Sequence, residues 1–139
     1  MTPGEKFALL NPIRYALAAL IVTGGTMHLI GLIKALLQHQ CLPWICWFFY
    51  LFAISMYPIA AVTIIRNIRW GYWLAAVAPC VGGLFIFLGF FWPGTGFLML
   101  LAGTVGREIT WMGFVQVTSE SMAVAYAVLL IYHKVWQLH

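Results

Sequence analysis

The residues best suited to chemistry in this chain are a glutamate and a histidine inside long apolar stretches. Glu120 follows Gln116 and Ser119 within one such stretch, and His28 lies within another. A bare carboxylate is unstable in hydrocarbon, so the sequence predicts that Glu120 is protonated, hydrogen-bonded or turned toward a protein interior or an aqueous cavity. One interpretation is an ion- or proton-coupled site. The other is a hydrogen bond that joins two helices.

Helix geometry allows Glu120, Gln116 and His28 to meet. Gln116 and Glu120 are one turn apart on one helix face. Antiparallel packing of the two helices would bring His28 to the depth of Gln116, given a rise of about 1.5 Å per residue. We therefore predict these three residues as candidate ligand or coupling residues. The simpler alternative for His28 is a hydrogen bond to a neighbouring carbonyl or hydroxyl group.

The sequence predicts no cofactor. A bis-histidine haem site needs a second histidine at matching depth, whereas His39, His133 and His139 fall at or beyond the ends of the apolar stretches. The sequence also lacks metal-ligand spacing, a glycine-rich phosphate loop and a nucleophile motif. We therefore predict no metal, no haem and no catalytic residues, which argues against an enzyme.

The charge distribution predicts the elements that must hold these residues. Only 7% of the 139 residues are charged and 64% are hydrophobic, whereas a soluble domain carries about 25% charged residues. The mean hydropathy is +0.98. No charged residue falls within 15–33, 35–65 or 70–106, and a span needs roughly 20 apolar residues. The sequence therefore predicts an integral membrane protein, with basic residues that contact lipid headgroups and bind no nucleic acid.

The predicted fold is all-α: a polytopic protein in which a four-helix transmembrane bundle occupies residues 1–139 as a single domain. The predicted spans are 15–34, 42–65, 70–92 and 109–133. Asn11-Pro12 is expected to start the first helix, because proline at the first helical position loses no hydrogen bond. Pro93 and Gly94 end the third span. Residues 97–106 are too few to cross, so they are predicted to form a short re-entrant or interfacial segment before the last span.

Basic and aromatic residues predict the orientation. A four-span chain collects most of its basic residues on one side: Lys6, Arg14, Arg66, Arg69 and Lys134. The positive-inside rule then places both termini in the cytoplasm, in a plasma or inner membrane. A five-span alternative would bring Arg107 and Glu108 near the bilayer centre, which is costly unless they pair, so we favour four spans. Tryptophans near the span ends are predicted to anchor at the membrane interface: Trp44, Trp47, Trp70, Trp73, Trp111 and Trp136.

Three functions follow from these patterns. The first is a non-catalytic accessory or structural subunit of a larger membrane complex. The second is a small oligomeric proton-coupled transporter in which Glu120 is the coupling group and His28 its partner. The third is a quinone- or lipid-handling enzyme that uses the same two residues as an acid–base pair. The expected partners are the lipid bilayer and either other membrane subunits or further copies of the chain.

Overall fold

The computed structural model describes residues 2–37, 44–91 and 111–138, and within these ranges the chain is helical with no strand. The helices are α1 (Pro3–Leu37), α2 (Trp44–Ile65), α3 (Arg69–Phe91) and α4 (Trp111–Tyr132), followed by a short 3-10 turn (Val135–Gln137). The all-α prediction is confirmed. Two stretches, Pro3–Lys34 and Phe114–Gln137, are long and apolar enough to cross a membrane. The predicted segment 97–106 lies outside the described residues.

The first helix begins upstream of the position predicted from Pro12. The Thr2 hydroxyl accepts a hydrogen bond from the Glu5 N–H at 3.3 Å, and the Glu5 carboxylate accepts one from the Thr2 N–H at 2.7 Å. This capping box satisfies the first donors of α1, so the helix starts at Pro3. Pro12 lies inside α1, where it removes the hydrogen bond to the Ala8 carbonyl. The expected start at Pro12 was wrong because the capping signal lies upstream.

The turn between α2 and α3 depends on Asn67. Its backbone is left-handed, with a φ of 56°. The N–H groups of Asn67 and Ile68 donate to the carbonyls of Ile64 at 2.9 Å and Thr63 at 2.8 Å. This is a Schellman motif, which satisfies the last carbonyls of α2. The Tyr72 hydroxyl then donates to the Asn67 side-chain oxygen at 2.5 Å, so the start of α3 is tied to the turn.

Each helix packs mainly against two neighbours, in the cyclic order α1, α2, α3, α4. Gly25 lies against Tyr57, and Gly31 lies near Tyr50. Since the later residue of α1 meets the earlier residue of α2, these two helices run antiparallel. His28 lies near Gln116, and Gly24 lies near Glu120, so α1 and α4 are antiparallel as well.

Small residues fill much of the interior, and many large apolar residues face outward. All four helices contribute buried alanines: Ala18, Ala53, Ala60, Ala61, Ala75, Ala78, Ala123 and Ala127. Exposed aliphatic or aromatic side chains also occur on every helix, for example Leu29, Leu51, Val77 and Phe114. Small interior residues let helix backbones approach closely. This approach brings polar side chains of different helices within hydrogen-bonding distance.

Candidate functional site

His28, Tyr57 and Glu120 form a hydrogen-bonded cluster in the interior, which we call the central cluster. The His28 Nε2 lies 2.8 Å from the Glu120 Oε1. The Tyr57 hydroxyl donates to the same oxygen at 2.9 Å. Each residue comes from a different helix, α1, α2 and α4. The sequence predicted that His28 and Glu120 lie within reach of each other, and the structure brings them into direct contact.

The central cluster is nearly closed to its surroundings. The exposed fractions of the His28 and Glu120 side chains are 4% and 13%, and Tyr57 is 2% exposed. A neutral histidine beside an ionised glutamate carries a net charge of −1, whereas one added proton brings the pair to zero. That sum is the same whether the proton resides on the imidazole or on the carboxyl group. The pair is buried from solvent, and its imidazole and carboxyl groups can together hold one proton.

Gln116 is the fourth polar residue at this depth. Its side-chain nitrogen lies 3.3 Å from His28 Nε2 and 3.4 Å from Nδ1. Ser119 donates to the Gln116 carbonyl at 2.9 Å, which also keeps the Ser119 hydroxyl satisfied. Gln116 therefore lies beside the imidazole at the predicted depth, but its contact is longer than that of Glu120. The aromatic ring of Tyr57 meets the imidazole edge to face, with centroids 5.3 Å apart.

Two glycines of α1 make the approach of the other helices possible. A Cβ atom at Gly24 would lie 3.0 Å from Tyr57 Cε1 and 3.3 Å from Glu120 Cγ. At Gly25, it would lie 2.9 Å from Tyr57 Cβ, closer than real side chains come. Any larger residue at Gly25 must therefore displace α2 or Tyr57. Because these two glycines have no side chain, Tyr57 and Glu120 can lie against the backbone of α1.

Tyr57 was not predicted from the sequence. It precedes Pro58 in an apolar stretch without charged neighbours, a pattern typical of an ordinary core aromatic residue. One signal was available. A tyrosine hydroxyl that becomes buried almost always finds a hydrogen-bond partner, and antiparallel packing places Tyr57 level with Gly24 and Gly25. The carboxylate acceptor opposite this level is Glu120.

The predicted interface tryptophans that the structure describes differ in exposure. Three have substantially exposed rings: Trp47, Trp70 and Trp73. Trp136 is half-buried, its ring lies 5.8 Å from that of Tyr72, and the Arg69 guanidinium lies 5.7 Å above it. Trp136 therefore packs against the bundle rather than standing clear of it. The side chains of two others lie outside the described part of the structure: Trp44 and Trp111.

Within the described ranges, no group of three histidine, cysteine, aspartate or glutamate side chains is arranged to hold a metal ion. Comparisons of the chain with protein-family models, with curated proteins and with solved structures found no match. Function is therefore inferred from the geometry of the chain itself.

Proposed function

We propose that this chain is an integral membrane protein whose four helices all cross the bilayer. The outward apolar side chains and small interior residues are the distribution expected when lipid surrounds the helices. α2 has 22 residues and α3 has 23, so each measures about 33–35 Å at a rise of about 1.5 Å per residue, enough for a hydrocarbon core of about 30 Å. The basic residues at one end support a cytoplasmic location for both termini.

We further propose that the central cluster binds and releases a proton, and that the chain acts as a small proton-coupled transporter. The observation that carries this proposal is the 2.8 Å contact between His28 and Glu120 inside the bundle. Amide or hydroxyl groups would be enough to join two helices. A histidine–carboxylate pair adds the ability to change protonation, and ionisable residues at membrane depth mark proton relays and coupling sites.

Transport would require more than one copy of the chain. Four short helices with an alanine-packed interior leave little space for a pathway, so the proposed transporter works as a symmetric dimer or a larger oligomer. The outward apolar face of α4, where Phe114 is 71% exposed, could face another copy or lipid.

A second candidate is a non-catalytic accessory subunit, in which the central cluster only joins helices. The exposed apolar side chains on every helix favour it as well, because they fit against another membrane protein as readily as against lipid. Gentle detergent extraction followed by mass determination separates the two candidates. A complex with foreign subunits supports the accessory role, and a homo-oligomer supports the transporter.

Proton movement can be measured directly. Purified protein is reconstituted in liposomes that enclose a pH-sensitive dye, and a potassium diffusion potential is imposed with valinomycin. The wild-type protein should carry protons faster than empty liposomes, and Glu120→Gln, which keeps the hydrogen-bonding shape but cannot ionise, should lose this flux. Glu5→Gln is the matched control, since Gln also serves in a capping box. Equal flux in wild type and Glu120→Gln would contradict the proposal.

The membrane topology is tested by single cysteines in a background that lacks the native ones. A cysteine at Lys134 should react only with reagents that reach the cytoplasmic side. Cysteines at Gln38 and Thr95, which lie outside the described residues, should react from the opposite side. Labelling of Lys134 and Gln38 from one side would exclude the three crossings proposed between them. Residues 97–106 are tested by the pair Thr95 and Arg107, which should label from the same face.

A further inference from the structure

One end of the bundle collects positive charge that the described residues do not neutralise. This basic end contains the first turns of α1, the α2–α3 turn and the segment after α4. Its basic residues are Lys6, Arg14, Arg66, Arg69 and Lys134. The acidic residue described at this end is Glu5, whose carboxylate accepts a hydrogen bond from the Thr2 N–H. Neither Arg14 nor Arg69 has a carboxylate partner among the described residues.

Arg14 is the unusual member of this group because it is only 7% exposed. Its guanidinium lies 4.9 Å from the ring centre of Tyr15 and 5.6 Å from that of Phe7, and it donates to the Tyr15 hydroxyl at 3.1 Å. Its Nε is buried with no hydrogen-bond partner in the described structure. Because Phe7 lies two turns earlier in α1, the side chain extends toward the N-terminus and thus toward the membrane surface.

Tyr72 lies next to Arg14 but cannot balance its charge. The hydroxyl hydrogen of Tyr72 is donated to Asn67, so Tyr72 offers the arginine only an oxygen lone pair. On its other side, Tyr72 packs against Trp136, over which Arg69 lies. The aromatic stack therefore holds a second guanidinium at the same end. Two guanidinium groups therefore lie against one pair of aromatic rings, and no carboxylate among the described residues accompanies them.

We propose that the basic end binds the phosphate group of an anionic phospholipid, with Arg14 supplying the buried charge and Arg69 a second contact. A buried charge without an opposite charge beside it is unstable, and guanidinium groups pair with phosphate oxygens through two parallel hydrogen bonds. Anionic lipids enrich the cytoplasmic leaflet, where the basic end is placed. This inference rests on the proposed membrane placement and does not depend on proton binding at Glu120.

The test compares two phospholipids and two arginines. Protein in nanodiscs of phosphatidylcholine receives increasing fractions of phosphatidylglycerol, and lipid retention is measured by native mass spectrometry. The wild-type protein should retain phosphatidylglycerol preferentially. Arg14→Gln should weaken that preference about tenfold, as expected for losing a charge-assisted pair. Arg66→Gln is the matched control because it removes the same charge from an exposed position of the same end. An equal loss in both variants would show diffuse surface attraction and overturn the proposal.

Three further arms make every result informative. Phosphatidylglycerol should raise the midpoint of thermal unfolding, whereas inorganic phosphate at the same concentration should leave it unchanged. A rise with inorganic phosphate equal to that with phosphatidylglycerol would overturn the lipid assignment. Arg69→Gln should weaken the preference by a smaller factor, and it carries the test if Arg14→Gln does not fold. Glu120→Gln should retain the full preference. Loss of proton flux with retained lipid preference therefore separates the fate of this proposal from that of the transporter.

Discussion

The central cluster and the basic end solve the same electrostatic problem in opposite ways. Each contains a nearly buried ionisable residue beside a buried tyrosine whose hydroxyl donates a hydrogen bond. In the central cluster, Tyr57 donates to Glu120, and His28 supplies the group that can hold a compensating proton. At the basic end, Tyr72 donates to the neutral Asn67, and Arg14 has no acidic partner in the described structure.

This difference indicates which external group each region is suited to bind: a proton at the central cluster and an anion at the basic end. A pair that changes its own protonation is complete with nothing more than a proton, which suits a closed site between three helices. An arginine cannot lose its proton in a protein, so in the proposed lipid binding its charge is met by an anionic headgroup. In the proposed membrane placement, the basic end lies where anionic headgroups are available, and the central cluster lies where they are not. The substitutions below test whether the two regions differ in this way.

The largest effect is expected when the carboxylate of the central cluster is removed. Glu120→Leu leaves His28 and Tyr57 without their shared acceptor, and we expect a loss of about 3–5 kcal/mol in the free energy of unfolding. Glu120→Gln should lose clearly less because its side-chain oxygen still accepts. Ser121→Leu, an exposed neighbour on α4, is the control for adding leucine. Denaturant titration in detergent micelles measures all three, and equal losses for Leu at 120 and 121 would contradict the shared-acceptor role.

A smaller loss is expected when Tyr57 loses only its hydroxyl group. Tyr57→Phe keeps the ring between α1 and α2 but removes the 2.9 Å bond to Glu120. A hydrogen bond contributes about 0.5–1.5 kcal/mol net, and more where one partner is charged, so we expect about 1.5 kcal/mol for this buried bond. In a Glu120→Leu background, the same change should have almost no effect. Additive losses in that double-mutant cycle would mean that the two side chains act independently.

The close approach of α1 to α2 can be tested without touching a polar group. Gly25→Ala places a methyl group 2.9 Å from Tyr57 Cβ, and overpacking of this kind costs about 1–3 kcal/mol. Gly4→Ala adds the same methyl group where nothing lies within 4 Å, so its stability should be nearly unchanged. If both substitutions were neutral, the glycine pair would not fit the helices together as described.

The sequence predicts the main elements because its charges mark their ends. The α2–α3 turn lies at the basic residues, and α4 holds Glu120 and Gln116 one turn apart, as expected from a 3.6-residue period. The start of α1 was missed because a proline signal at Pro12 outweighed a capping box that begins at Thr2. A helix starts where its first backbone N–H groups find hydrogen-bond acceptors. A side-chain cap supplies them from only a few residues, so it is a short signal in the sequence.

The sequence predicted only part of the candidate site, namely the residues whose polarity stands out from their surroundings. His28 and Glu120 stand out because polar residues are rare in apolar stretches, and depth arithmetic brings them together. Tyr57 does not stand out, because tyrosine is common in apolar helices and its role appears only when α2 packs against α1. Arg14 was assigned to the membrane interface from its charge. Its burial beneath Phe7 and Tyr15 depends on rotamers and packing that a linear pattern does not encode.

The smallest effect is expected at Tyr72, and it sharpens the comparison because the chemical change is the same as at Tyr57. Tyr72→Phe removes a hydrogen bond to a neutral amide oxygen at the end of the bundle, so we expect about 0.5 kcal/mol, well below the loss for Tyr57→Phe. Asn67→Gly should behave similarly, since glycine adopts the left-handed φ of 56° but lacks the acceptor. Asn67→Ala should be worse than glycine because alanine is strained there. Unfolding titrations of the three variants measure this order. A Tyr72→Phe loss as large as that of Tyr57→Phe would mean that the type of acceptor, carboxyl or amide, does not distinguish the two regions.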